Sequence, residues 1–259
     1  MSTKRFRVFA GPNGSGKSSL YDYLVKQKFF TERLDVNADK IAKDLKSKGF
    51  CIRGWPISCC EDEFLVSATK NTRPGNDVTF EDIKKNMVFE KSLFIWKGRK
   101  DYKTINTIAA YLVDYLTAKM LETDGTFFYE TVFSHESKLQ LLQEAKNKGF
   151  KIYLYFVSTK SPQINWERVK SRVIQGGHRV LKKKVFSRYN NSLENLYPAL
   201  KIADRAYFFD NSESGMTSYL NFAEFRDGQI KIEKKTGEVP EWFNKYVIER
   251  IKTSLCTKP

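Results

Sequence analysis

The sequence predicts an α/β fold built on a mostly parallel, five-stranded sheet, and two observations carry that expectation. Short apolar runs rich in β-formers alternate with segments whose apolar residues recur at helical spacing, the order from which parallel βαβ units arise. A glycine-rich stretch, FAGPNGSGKSSLYDYL (Phe9 to Leu24), joins the first such strand to the first such helix. Its spacing fits a phosphate-binding loop.

Taken in order, Arg5 to Ala10 reads as a buried first strand, and Ser19 to Lys28 as a helix with Leu20, Tyr21, Leu24 and Val25 on one side. Glu32 to Asn37 reads as a second strand, and Ala38 onward as a helix carrying Ile41, Ala42 and Leu45. From Gly49 to Lys103 the pattern is irregular, with Gly54, Pro56, Pro74, Gly75 and Gly98. That stretch is expected to be an insertion with too little apolar content for a core of its own. Regularity returns with a helix over Thr104 to Leu121, a strand over Thr126 to Glu130, a helix over Glu136 to Lys148 stopped by Gly149, and a strand over Lys151 to Val157. Helices over Pro162 to Gln175 and Lys182 to Ala203 lead to a fifth strand, Arg205 to Asp210. Asp227-Gly228 between two apolar runs signals a hairpin, and Val239 to Ile251 a closing helix. The chain is expected to be one domain over 1–259, with an insertion at 49–103 and a hairpin-and-helix extension at 213–259.

Gly11, Pro12, Asn13, Gly14, Ser15, Gly16, Lys17 and Ser18 match G-x-x-x-x-G-K-[ST], and Ser19 follows at the start of the helix. Glycines at these positions let backbone N–H groups turn toward phosphate oxygens, and the helix N-terminus adds a dipole favourable to anions. Lys17 is expected to reach the outer phosphates of ATP and the Ser18 hydroxyl to hold Mg²⁺.

Composition bounds the alternatives. At 259 residues with 41% hydrophobic residues, the chain can build a core of enzyme size. No apolar run approaches a membrane span and the N-terminus has no signal-peptide pattern, so a cytoplasmic address without membrane association is expected. Cys51, Cys59, Cys60 and Cys256 form no C-x-x-C pair and read as free thiols rather than as a zinc site or disulfides. The formal net charge is +15. Two readings fit it: a surface that attracts nucleic acid, or lysine-rich helix faces around an ATP site.

In open α/β sheets, ligands collect at the carboxyl ends of strands. The residues there are Asp39 after the second strand, Glu130 and Thr131 at the third, Ser158 and Thr159 at the fourth, and Asp210 and Asn211 at the fifth. Asp39 could take a proton from a substrate hydroxyl, or serve as an acid at a helix start. Glu130 follows an apolar strand, where a bare carboxylate is costly, so it meets Mg²⁺ through water, a substrate hydroxyl or a basic partner. Arg168 and Arg172 share a helix face, Gly176-Gly177 break it, and His178 and Arg179 follow on a loop. This is the layout of an arginine-bearing lid for phosphoryl transfer, and equally of a solvated basic helix with a glycine stop.

These residues together resemble the zeta toxin family of P-loop kinases, more closely its predicted-ATPase branch. The resemblance rests on GPNGSGKSSL, VNADKIA, FFYETVFSHESKLQLLQEAKNKGFKIYLYFVST, ERVKSRVIQGGHRV and SRYNNSLENLYPALKIADRAYFFDNS, in the family's order. It implies a P-loop NTPase fold of nucleotide-kinase type with strand order 2-3-1-4-5, and ATP with Mg²⁺ as phosphoryl donor. It further implies a small hydroxyl acceptor such as UDP-N-acetylglucosamine and a separate antitoxin protein. Carried onto this chain, it implies Asp39 as base, and Glu130, Thr131 and Ser134 on the substrate side. Lys17, Arg168, Arg172 and Arg179 then face the transferred phosphoryl group. Two departures stand out: 49–103 matches no part of the family, and Leu181 follows Val180 where the family's lid often carries proline. A reading of another class is an ATP-dependent nucleic-acid-binding protein in which hydrolysis is a conformational switch. The +15 charge motivates it.

Overall fold

The structure is a computed structural model that describes residues 3–30, 34–70, 78–174, 180–213, 221–233 and 239–256. The chain divides into two units, one formed by Thr3–Arg33 with Glu130–Pro259 and the other by Leu34–Tyr129.

In the first unit, β1 (Arg5–Ala10) runs into α1 (Lys17–Lys26). The strand β6 (Phe127–Thr131), whose first three residues belong to the second unit, leads into α6 (Ser137–Asn147), and β7 (Lys151–Ser158) follows. Then come α7 (Pro162–Ile174), α8 (Lys182–Glu194), α9 (Leu196–Leu200) and β8 (Arg205–Asp210). The hairpin strands are β9 (Asn221–Arg226) and β10 (Gln229–Ile232). The chain closes with α10 (Glu241–Phe243), a π-helical turn (Asn244–Ile248) and α11 (Glu249–Cys256). Parallel pairing joins β1 to β7 and β7 to β8, while β9 joins β8, and β10 joins β9, antiparallel. One face of these strands is apolar: Phe6, Val8, Ile152, Leu154 and Phe208 are fully buried. Each such side chain contributes about 1.5–3 kcal/mol relative to exposure.

The second unit holds β2 (Asp35–Val36), α2 (Ala38–Lys46), β3 (Phe50–Cys51), α3 (Glu61–Lys70), α4 (Phe80–Asn86), β4 (Met87–Glu90), β5 (Leu93–Trp96) and α5 (Tyr102–Leu121). The strands β3, β5 and β4 form an antiparallel sheet of their own. Its rings meet those of the helices: Phe64 of α3, Phe94 of β5 and Tyr115 of α5 lie mutually edge-on at 5.7–6.4 Å. The described residues of 49–103 therefore form regular strands and helices. Their apolar side chains become a core because α5 supplies the opposing face, which no count within the stretch could include.

The main sheet has seven strands, in the order β10-β9-β8-β7-β1-β6-β2. This corrects the expected five strands to seven; the five read from the sequence are β1, β2, β6, β7 and β8, which lie across the sheet as β2-β6-β1-β7-β8. The insertion's strands go to a separate sheet, and the hairpin, turned by Asp227 and Gly228 at positive φ of 51° and 78°, adds two antiparallel strands at one edge. The expected single helix over Lys182 to Ala203 is also two, α8 and α9, separated at Asn195. Pro198 lacks the N–H that would bond Glu194, so the first helix ends there.

Candidate active site

The loop from Gly11 to Ser18 is shaped by positive φ and by close approach. Gly14 has φ 77°, and a Cβ there would lie 2.5 Å from the Asn165 carbonyl oxygen in α7. A Cβ at Gly11 (φ 143°) would collide with the Val157 carbonyl. Neither position accepts another residue without moving backbone.

Two asparagines hold the loop's carbonyls from behind. Asn165, fully buried, donates from Nδ2 to the Asn13 carbonyl at 2.7 Å and accepts from the Thr159 hydroxyl at Oδ1. Asn211, just past β8, donates to the Ser15 carbonyl at 2.8 Å. The Ser15 amide donates to the Pro12 carbonyl at 3.3 Å, which closes the turn of the loop. The N-terminus of α1 has no side-chain cap and no acid in its first turn, so its leading N–H groups suit an anion. The buried Ser15 hydroxyl has no hydrogen-bond partner among the described residues. An orphaned hydroxyl, a glycine cradle and an uncapped helix start together fit a phosphate chain.

Lys17 is buried and donates from Nζ to the Pro12 carbonyl at 3.0 Å. The Ser18 hydroxyl lies 2.9 Å from both Glu130 carboxylate oxygens, which brings the end of β6 to the start of α1. A hydroxyl and a carboxylate are hard oxygen ligands that fit Mg²⁺, directly or through water. Among the described residues no group of three or more His, Cys, Asp or Glu is arranged to hold a metal by itself.

Past β6, the Thr131 hydroxyl accepts from the Phe133 amide at 3.2 Å, and Phe133 sits at φ 63° with its ring buried. Ser134 follows, half-buried. This turn is held by α8 and the residue after it: Ser192 donates to the Val132 carbonyl at 2.5 Å and Asn195 to the Phe133 carbonyl at 3.0 Å.

The same helix faces the phosphate loop. Arg188 donates from Nη1 to the Asn13 side-chain oxygen at 3.2 Å, and Tyr189 donates to the Thr159 carbonyl at 2.6 Å. Burial pushes the Arg188 guanidinium below its ordinary pKa, and Lys184, one turn earlier, is lowered first by the Arg188 charge and then by burial. Burial pushes Tyr189 up to about 12. No carboxylate among the described residues pairs with Arg188 or Lys184. They form a partly desolvated positive site beside the loop.

Arg168 and Arg172, named from the sequence, lie on α7, whereas Arg188, which was not named, lies on α8. Arg168 donates to the backbone carbonyls of Asn211 (2.7 Å) and Glu213 (3.1 Å), so it holds the segment after β8. Arg172 is exposed on α7. His178 and Arg179 lie outside the described residues. The signal for Arg188 was present as Lys184 and Arg188, four apart in KVFSR and so on one helix face.

Asp39 belongs to the second unit, exposed in the first turn of α2. Asn37, not Asp39, caps that helix, its Oδ1 accepting from the Lys40 amide at 3.1 Å.

Among the described residues no helix is long and apolar enough to cross a membrane. No protein-family model matches the chain, and no curated protein does. Solved structures do. A crystal structure of AvrRxo1-ORF1:AvrRxo1-ORF2 with sulphate ions superposes at TM-score 0.55 and 13% identity, covering 90% of this chain and 62% of that chain. AvrRxo1-ORF1:-ORF2 with ATP gives TM-score 0.56 and 14% identity over 89% and 61%. The PezAT chromosomal toxin–antitoxin system of Streptococcus pneumoniae gives TM-score 0.48 and 11% identity over 93% and 75%. The chain thus spans about three fifths of the AvrRxo1 chains it matches, and the likeness to them is one of fold: a mixed α/β domain with a largely parallel central sheet.

Proposed function

We propose that this chain is a zeta toxin-like phosphotransferase that passes the γ-phosphoryl group of ATP to a hydroxyl of a small acceptor. The observation that carries the reading is the Ser18 hydroxyl within 2.9 Å of both Glu130 oxygens at the mouth of the phosphate loop. A neighbour of the same fold solved with ATP supports the choice of nucleotide.

In this reading the loop amides and Lys17 bind the β- and γ-phosphates, and Ser15 donates its unpartnered hydroxyl to them. Mg²⁺, held by Ser18 and through water by Glu130, supplies charge neutralisation when bound. Arg188 places a permanent positive charge where the transferred oxygens gather, because a guanidinium keeps its proton even when burial disfavours it. Asp39 accepts the acceptor's hydroxyl proton. Thr131 and Ser134 contact the acceptor, and 49–103 shapes its pocket, with UDP-N-acetylglucosamine as the acceptor the family resemblance names. A structural neighbour solved as an AvrRxo1-ORF1:-ORF2 complex supports a separate protein partner, which by the same resemblance is an antitoxin.

Calorimetric titration of ATP with and without Mg²⁺ tests the metal assignment. Glu130→Gln is expected to remove most of the Mg²⁺ enhancement, by about 10–100-fold, as loss of an outer-shell carboxylate does elsewhere. An unchanged enhancement would rule out the Ser18–Glu130 pair as the metal holder.

A further inference from the structure

A ring of hydrogen bonds closes behind the phosphate loop and returns to the helix from which it starts. Arg188 of α8 donates to the Asn13 side-chain oxygen at 3.2 Å. The backbone carbonyl of the same Asn13 accepts from Asn165 of α7 at 2.7 Å. Asn165 Oδ1 in turn accepts from the hydroxyl of Thr159, just past β7. The Thr159 carbonyl accepts from the Tyr189 hydroxyl at 2.6 Å, and Tyr189 is the neighbour of Arg188 in α8.

The far side of this ring is dry: Asn165 and Thr159 are fully buried and Tyr189 is buried. Hydrogen bonds in such surroundings are stronger than in water, and a partner left without one is costly. Burial pushes the Tyr189 hydroxyl up to about 12, so it remains a donor at neutral pH. Further along α8, Ser192 donates to the Val132 carbonyl at 2.5 Å, and Asn195 donates to the Phe133 carbonyl at 3.0 Å. The C-terminal half of α8 is thereby fixed to the ends of β6 and β7, whereas Leu181, Lys182 and Lys183 at its other end are exposed. A long, flexible arginine side chain placed beside Tyr189 is held at both ends, by the helix backbone at its root and by Asn13 at its tip.

We propose that Tyr189 is a positioning residue: by tying α8 to the end of β7 it sets the Arg188 guanidinium against the transferred phosphoryl group, and Thr159 and Asn165 carry the same constraint to the loop. The inference rests on the phosphotransferase reading for what Arg188 acts on, but not on the identity of the acceptor. The Tyr189 hydroxyl is committed to a backbone carbonyl, so its removal leaves the groups that hold ATP in place and only loosens Arg188. A misplacement of about 1 Å is enough to cost about 10²-fold in rate.

Initial rates with γ-³²P-ATP and a mixture of hydroxyl-bearing metabolites test this, counting all label that leaves ATP and, separately, where it goes. Tyr189→Phe is expected to lower kcat by about 10–100-fold with the KM for ATP within about twofold. Thr159→Val breaks the ring at another bond and is expected to give the same split. Tyr155→Phe removes a buried hydroxyl that accepts from Arg7 at 2.6 Å, outside the ring, and is expected to leave kcat within about twofold. The deciding comparison is made in Arg188→Ala, which Tyr189→Phe is expected to slow by less than about twofold further, because no guanidinium remains to be placed. The proposal is overturned if Tyr189→Phe lowers the urea midpoint but not kcat, or if its full effect persists in the Arg188→Ala background. Label found only as free phosphate would overturn the phosphotransferase reading, while the rates of its release would still decide the role of Tyr189. No release of label by the wild type would overturn both.

Discussion

Replacing Gly14 with alanine puts the loop's geometry to a graded test, because the structure contains its own control. Gly14 and Gly54 have nearly equal φ, 77° and 83°. A methyl group at either position pays for a left-handed backbone, about 1–2 kcal/mol. At Gly54 nothing lies within 4 Å of the new carbon, and that is the whole cost. At Gly14 the carbon would lie 2.5 Å from the Asn165 carbonyl oxygen and 3.2 Å from two further backbone atoms of the same residue. Relieving such overlap by backbone shifts typically costs a further 1–3 kcal/mol. The loop escapes by leaving its cradle conformation, so the penalty appears as a smaller binding-competent fraction. Summed, about 2–5 kcal/mol corresponds to roughly 30- to 4000-fold weaker ATP binding at about 1.4 kcal/mol per tenfold. Fluorescent-nucleotide titration measures this, with urea unfolding run beside it on both variants. Gly54→Ala is expected to bind nucleotide as the wild type does. Equal affinity in Gly14→Ala would refute the claim that the loop is held against α7.

Arg188→Ala is expected to lower phosphoryl-transfer turnover by about 10³-fold while changing ATP affinity less than about tenfold. Arg168→Ala should instead lower the urea midpoint, since its guanidinium holds the carbonyls of Asn211 and Glu213; steady-state kinetics and unfolding curves separate the two. Asp101 caps α5 through hydrogen bonds from the Thr104 hydroxyl and amide, which hold its carboxyl down at about 2. A depressed folded value stabilises the fold above the unfolded pKa of about 3.9, and that contribution fades as pH falls from about 4 toward 2. Urea midpoints across this window should drop less steeply in Asp101→Asn, and parallel curves would contradict the assignment.

Much of the fold was legible because its signals are local. The loop motif sits between a buried strand and a helix start, and Asp227-Gly228 announced the hairpin by turn chemistry alone. What was not legible depends on partners far away in sequence. Phe64 and Phe94 look too few for a core until Tyr115 of α5 meets them. The candidate site divides the same way. Glu130 could be picked out as an acid ending an apolar strand, and it does reach Ser18. The asparagines that brace the loop, Asn165 and Asn211, act on backbone carbonyls, and nothing in their local sequence marks a residue whose partner is 152 or 196 positions away. Arg168 shows the converse: correct spacing for a lid arginine, but a guanidinium already committed to two carbonyls.

The central claim is transfer rather than hydrolysis. The most direct measurement follows the label from γ-³²P-ATP in the presence of a metabolite mixture that includes UDP-N-acetylglucosamine, comparing wild type with Asp39→Asn. The account expects label in a phosphorylated small molecule, formed at least about 100-fold more slowly by the variant, in line with the loss of a general base. Label released only as free phosphate would contradict transfer, and equal rates in the two proteins would contradict Asp39 as the base.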